Sequence, residues 1–102
     1  MFKHQVQMQL RADTFTLLSR KIENTIMPLL RQQKGFCDGI TFVAPERSTA
    51  TGDTFWNTEA DAEAYQKNGF QKVLETISEV LTETPTVSIT KVSGQDLRIK
   101  NG

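Results

Sequence analysis

His4-Gln5-Val6-Gln7-Met8-Gln9-Leu10 alternates strictly, with Val6, Met8 and Leu10 on one face and Gln5, Gln7 and Gln9 on the other. Period two over seven residues specifies a half-buried strand. The Gln face is either solvated or set against another polar surface. Arg11-Ala12-Asp13-Thr14 then supplies turn residues, with Asp13 or Thr14 as the helix cap. From Phe15 the period changes: Phe15, Leu18, Ile22, Ile26 and Leu29 recur at steps of three and four and line one face of a helix.

Pro28 interrupts that helix by removing a backbone donor and clashing one turn back, so a kink or a stop is expected there. Lys34-Gly35 is a C-terminal ending, a cation on the negative end of the dipole followed by a left-handed glycine. Phe36 to Ala44 reads as a second strand, with Ile40 and Phe42 on one face, Thr41 and Val43 on the other, and a bulge or close approach at Gly39. Residues 45–52 read as a polar hairpin loop and Asp53 to Asn57 as a short third strand. Thr58-Glu59-Ala60-Asp61 opens the next helix with a Thr cap and acids in the first turn. That helix runs to about Lys67, breaks at Asn68-Gly69, and resumes with Phe70, Val73, Leu74, Ile77, Val80 and Leu81 until Thr84-Pro85. Thr86 to Val92 is a β-branched fourth strand. Residues 93–102 form a tail that alternates enough to extend a sheet edge, on this subunit or a neighbouring one.

The order β-α-β-β-α-β is the split-βαβ, ferredoxin-like α+β arrangement: one antiparallel four-stranded sheet with the helices on one face. The 102 residues make one domain, 1–102. Cys37, Val43, Trp56 and Val92 are expected on the side the helices leave uncovered. A sheet that exposes such groups meets a partner, and a homodimer pressing two faces together is the simplest solution.

Composition excludes several classes. Twelve Lys and Arg balance twelve Asp and Glu, so no basic excess draws in a nucleic acid. No apolar run is long enough to span a membrane, and the opening Met-Phe-Lys-His-Gln-Val-Gln has no apolar signal region, so a cytoplasmic protein is expected. One cysteine and one histidine leave no internal disulfide, no Cys-only zinc site and no His pair for a metal. The acids from Glu59 to Glu63 read as a solvated first turn rather than a metal site, because carboxylates two apart diverge on a helix. Lys34-Gly35-Phe36 through Phe42 differs from an RNA-recognition strand in position and diverges at Cys37-Asp38.

Several short features carry a family likeness: the opening alternating strand, Lys34-Gly35-Phe36, Phe55-Trp56-Asn57-Thr58-Glu59-Ala60, Ala64-Tyr65, Phe70 and the Val-rich last strand. In order and spacing the chain resembles the antibiotic-biosynthesis-monooxygenase (ABM) type of dimeric α+β barrel over nearly its whole length. The resemblance implies a homodimer whose two sheets form a barrel, with a small cavity in each subunit between sheet and helices. It implies either a cofactor-independent monooxygenase of an aromatic or phenolic small molecule, or a non-catalytic binding or assembly domain of the same fold. Members of this type often carry a histidine nine residues after the tryptophan, where Tyr65 stands here. The haem-degrading members need an asparagine on the first strand, where Gln5, Gln7 and Gln9 stand, so haem is not expected and no cofactor or metal is assigned.

The candidate residues each have two readings. Tyr65 is the proton handler, its hydroxyl bonding a ligand oxygen or acting as acid or base, or else it buries its ring and leaves the hydroxyl wet. Trp56 is a cavity wall stacking on a flat substrate, or a packing residue. Asn57 orients a phenolate, or serves turn chemistry before the helix cap. Phe42 and Phe70 complete the expected substrate-binding set. His4 reads as a surface residue before a general base, and Cys37 as an inert thiol before a nucleophile.

Overall fold

The expected alternation continues two residues upstream of His4. In the structure, a computed structural model that describes residues 1–92, strand β1 is Phe2–Gln9. Strands β2 (Phe36–Ala44), β3 (Thr49–Trp56) and β4 (Thr86–Lys91) complete one antiparallel sheet of order β2-β3-β1-β4. This is the split-βαβ topology that the element order predicts. The sheet extension expected from 93–102 lies outside the described residues.

β3 is longer than its composition suggests. Residues 49–52 read as loop because Thr-Ala-Thr-Gly is small and polar, yet they pair with β1 on one side and β2 on the other. A central strand gains ladder hydrogen bonds on both edges, and that tertiary gain overrides weak local propensity. The loop proper shrinks to a 3-10 turn, Pro45–Arg47, closed by Ser48 in the left-handed conformation at φ 54°. Of the two alternatives at Gly39, the bulge falls instead between Phe36 and Asp38, at Cys37, and Gly39 itself pairs in regular register with Thr54.

The first helical segment does not stop at Pro28. α1 (Phe15–Lys21) passes into a π-helical turn, Ile22–Ile26, and then into α2 (Met27–Arg31). The Met27 N–H donates to the Ile22 carbonyl, five residues back. Pro28 follows in the first turn of α2, where its missing donor and its ring are tolerated. The wider turn also shifts the buried face, so that Leu30 is buried and Leu29 only partly so. Gly35 ends this segment at φ +80°, as the sequence predicts.

The second segment follows the same plan. Thr58 caps α3 (Glu59–Ala64), its Oγ1 accepting from the Asp61 N–H at 3.0 Å. Instead of a break at Asn68-Gly69 there is a second π-helical turn, Tyr65–Gly69, leading into α4 (Phe70–Ile77). Here the Phe70 N–H donates to the Tyr65 carbonyl. A side chain at Gly69 would lie 2.9 Å from both Gln33 Oε1 and Tyr65 Cδ1, so the absence of a Cβ lets the two helical segments approach.

All the helices pack on one face. Register places Phe2, His4, Val6 and Met8 of β1 beside Trp56, Thr54, Gly52 and Ala50 of β3 on that covered face. Trp56 and Val43 therefore face the helices, contrary to the expectation that they project from the uncovered side. The uncovered face carries Gln5 and Gln7, the buried Asp53 that accepts from Gln5 Nε2 at 2.9 Å, and Ile40 and Phe42, 44% and 50% exposed.

Candidate ligand cavity

Between the sheet and the helices lies a cavity of about 390 Å³. Its origin can be read from the register. On the covered face, β2 and β3 present Gly39 opposite Thr54 and Thr41 opposite Gly52, side by side. Four small residues at one place in a sheet leave a floor that the helices above do not reach. The roof comes from Phe15, Leu18 and Ile22, and Val73 and Ile77 of α4 close one side. Apolar side chains dominate the lining, as suits an organic ligand.

The two π-helical turns shape this roof. Ile22 and Met27 are five residues apart, as are Tyr65 and Phe70, and all four line the cavity. In a regular α-helix residues five apart point about 140° away from each other, since each step turns 100°. The enlarged turn brings both members of each pair to the same side, which is a recurrent use of π-bulges near functional sites.

Tyr65 and Phe70 form an aromatic end wall with His4. The His4 ring lies 5.0 Å from Tyr65, edge-on, and 5.1 Å from Phe70. Behind them Trp56 stacks on Tyr65 at 4.7 Å and meets Phe36 at 5.5 Å. Trp56 is fully buried, and its Nε1 donates to Thr54 Oγ1 at 2.9 Å. It supports the wall from behind and does not line the cavity. Of the residues the sequence singles out, Tyr65 and Phe70 meet at the cavity. Asn57 is exposed at the end of β3, where its N–H donates to the Gly35 carbonyl at 2.9 Å and its Oδ1 accepts from Cys37 Sγ at 3.1 Å. Phe42 projects from the opposite side of the sheet.

His4 is the residue that sequence reasoning placed wrongly. It is 1% exposed, and its Nε2 donates to Gln66 Oε1 on the second π-helical turn. Its Nδ1 is buried with no hydrogen-bond partner. The signal was its phase, since His4 shares the face of Val6 and Met8. Burial holds the imidazole below its ordinary pKa, outweighing the opposing contacts to Gln66 and its own backbone. The ring is thus neutral at neutral pH. Burial pushes the Tyr65 phenol up, so that side chain keeps its proton at neutral pH. The histidine that the resemblance expects on the helix is Tyr65 here, while a histidine reaches the same wall from β1.

Among the described residues no group of three or more His, Cys, Asp and Glu could hold a metal ion. No helix among them is long and apolar enough to cross a membrane.

No protein-family model matches the chain, and no curated protein matches it. Solved structures do. A monooxygenase from the gene ActVA-Orf6 of Streptomyces coelicolor, solved with the ligand nanaomycin D, superposes with a TM-score of 0.76 at 14% identity, over 91% of this chain and 88% of that one. A candidate antibiotic biosynthesis monooxygenase from Bordetella bronchiseptica gives 0.75 at 15% identity, over 90% and 96%. A conserved protein from Methanosarcina mazei Go1 gives 0.70 at 15%, over 90% and 92%. The chain therefore has the ferredoxin-like α+β fold of the antibiotic biosynthesis monooxygenases.

Proposed function

We propose that this protein is a homodimeric, cofactor-independent monooxygenase acting on an electron-rich aromatic small molecule held in the cavity between sheet and helices. The observation that carries the reading is the cavity itself: apolar, about 390 Å³, and ended by Tyr65, Phe70 and a neutral buried imidazole. At about 30 Å³ per water molecule, that volume accommodates a fused-ring aromatic. The neighbour solved with nanaomycin D lends the ligand class. In this chemistry the substrate supplies the electrons. A phenol with a free ring C–H consumes one O2 and yields a quinone and one water, so both oxygen atoms are accounted for. The protein contributes desolvation, orientation and polar groups at the ring oxygen, with the Tyr65 hydroxyl as a donor.

The homodimer rests on the uncovered sheet face. Ile40 and Phe42 stand exposed there beside Gln5, Gln7 and Asp53, an apolar spot within a polar frame that suits self-association.

The test is an oxygen electrode with a panel of hydroxynaphthalenes. Oxygen consumption matched one-to-one by quinone, and reduced at least tenfold in Tyr65→Phe, is the expected result. Binding of the panel without oxygen consumption above the uncatalysed rate would instead favour the non-catalytic binding role. The tyrosine standing where related proteins often carry histidine is the observation behind that second reading.

A further inference from the structure

We propose that the cavity selects its ligand by charge, admitting neutral molecules and rejecting anions, because no cation reaches its wall and the Asp53 carboxylate stands beneath its floor. The inference rests on reading the cavity as a small-molecule site. It narrows the ligand to rings free of carboxylate, phosphate and sulfate groups, whose phenolic oxygens enter with their protons in place.

Three observations converge on it. First, no Lys, Arg or Glu among the described residues lines the cavity. The helical roof contributes only uncharged side chains apart from Tyr65, and so does β2, with Gly39, Thr41 and Val43. The titratable groups on the wall are His4, from β1, and Tyr65, from the second π-helical turn. Burial holds the imidazole below its ordinary pKa and the phenol above its own, so both are uncharged at neutral pH. An anion inside would therefore give up its hydration with no counter-ion to replace it, and uncompensated burial of charge is strongly unfavourable.

Second, Asp53 meets the cavity through its main chain. Alternation along β3 sends Gly52 and Thr54 to the covered face and the Asp53 side chain to the opposite one, where Gln5 Nε2 donates to Oδ1 at 2.9 Å. A Cβ at Gly39 would lie 3.7 Å from the Asp53 carbonyl oxygen, which marks how close this backbone comes to the floor. Third, the carboxylate is 6% exposed and has no ion pair among the described residues. Lys3, two residues from Gln5 on the same face of β1, makes none with it. The Gln5 amide is neutral, so it bonds the carboxylate without cancelling its charge. Because Gly52 and Gly39 bring no side chain to the floor, a single backbone layer separates that charge from a ligand resting there. Screening across so thin a layer is weak, and a second negative charge above it is repelled.

The experiment uses the full-length protein and the matched pair 1-naphthamide and 1-naphthoate, which share a shape and differ by one charge at neutral pH. By calorimetry the amide should bind at least about thirtyfold more tightly. Asp53→Asn keeps an acceptor for Gln5 and removes the charge, and should narrow that ratio by about threefold or more. Glu46→Gln, on the exposed turn after β2, should leave the ratio unchanged. 1-Naphthol reports the same preference through pH. Its affinity should hold level below the ligand's own pKa and fall about tenfold per pH unit above it, as the neutral fraction shrinks. Neither His4 nor Tyr65 changes charge in that interval, given the directions in which burial moves them. Equal affinity for amide and carboxylate, 1-naphthol binding that persists once the ligand ionises, a ratio unmoved by Asp53→Asn, or no binding of any of the three overturns the inference. Oxygen consumption separates the two claims. A preference for neutral ligands without oxygen consumption removes the monooxygenase reading and leaves this one standing, and oxygen consumption with equal binding of amide and carboxylate does the reverse.

Discussion

Gly52 offers a test in which stability and function should move in opposite directions. It sits in the middle of β3, on the covered face, opposite Thr41 of β2 and Val6 of β1, and it forms part of the cavity floor. A Cβ built there meets only Met8 Cε, at 3.5 Å, which is ordinary contact. Gly52→Val therefore adds three carbons to empty space in a strand, where β-branched residues fit well. Removing the entropy cost of a strand glycine contributes about 0.5–1 kcal/mol. Full burial of a valine side chain adds about 1.5–2 kcal/mol. A cavity wall gives contact on only some sides of the new group, so a net gain of about 1–2 kcal/mol is expected. For a chain of this size that raises Tm by roughly 5–15 °C. The same carbons stand where a flat ligand would rest, and an overpacking penalty of about 1–3 kcal/mol weakens 1-naphthol binding by roughly five- to 150-fold. Thermal unfolding and calorimetry on the variant and its parent measure both effects. A fall in Tm would mean that the space above Gly52 is already filled. An unchanged affinity would mean that the ligand binds elsewhere.

Four further outcomes follow from particular contacts. The folded-state pKa of His4 lies below its ordinary 6.5, so the native state binds fewer protons than the unfolded chain, and stability is expected in full above about pH 6.5 and eroded as pH falls below it. Urea midpoints between pH 7.5 and 5 should show that slope in the parent and a flatter one in His4→Phe, whereas identical slopes contradict the burial argument. Thr54→Val strips the buried Trp56 N–H of its acceptor and should cost about 1–3 kcal/mol, with Thr54→Ser close to the parent; equal midpoints for all three proteins would show that the bond contributes nothing. Gly35→Ala forces a left-handed φ on an L-residue, about 1–2 kcal/mol, and drives its Cβ to within 2.1 Å of Asp61 Oδ2, so an Asp61→Ala background should recover part of the loss in chemical denaturation. Phe42→Lys places a charge on the exposed sheet face and should convert the proposed dimer to a protomer in sedimentation velocity, while a change at Leu17, exposed on α1, should not.

The elements legible in the sequence were those written in local chemistry. The alternation from Val6 to Leu10, the Thr58 cap and the Gly35 terminus each depend on neighbours within a turn or two, and the structure shows each of them. The signals at Pro28 and Asn68-Gly69 also marked real irregularities. Their form was not legible, because a π-helical turn and a break share the same breaker residues, and packing on the sheet decides between them. Tyr65 and Phe70 stood out as aromatics, yet their meeting on one wall depends on that extra-wide turn.

The periodicity, the caps and the element order, all encoded in short-range geometry, were enough to specify a covered sheet of this topology. The cavity was decided only by tertiary structure. It arises from Gly39 and Thr41 lying in register with Thr54 and Gly52, small residues far apart along the chain that become neighbours only when β2 and β3 pair. The depth of His4 was decided in the same way. Its phase with Val6 and Met8 assigns it a face, but only the packing of Tyr65, Phe70 and Gln66 over that face turns a strand histidine into a buried, neutral, partly unsatisfied base. A hydropathy pattern records which side chains avoid water, and it holds no record of where the atoms of a folded chain fail to meet.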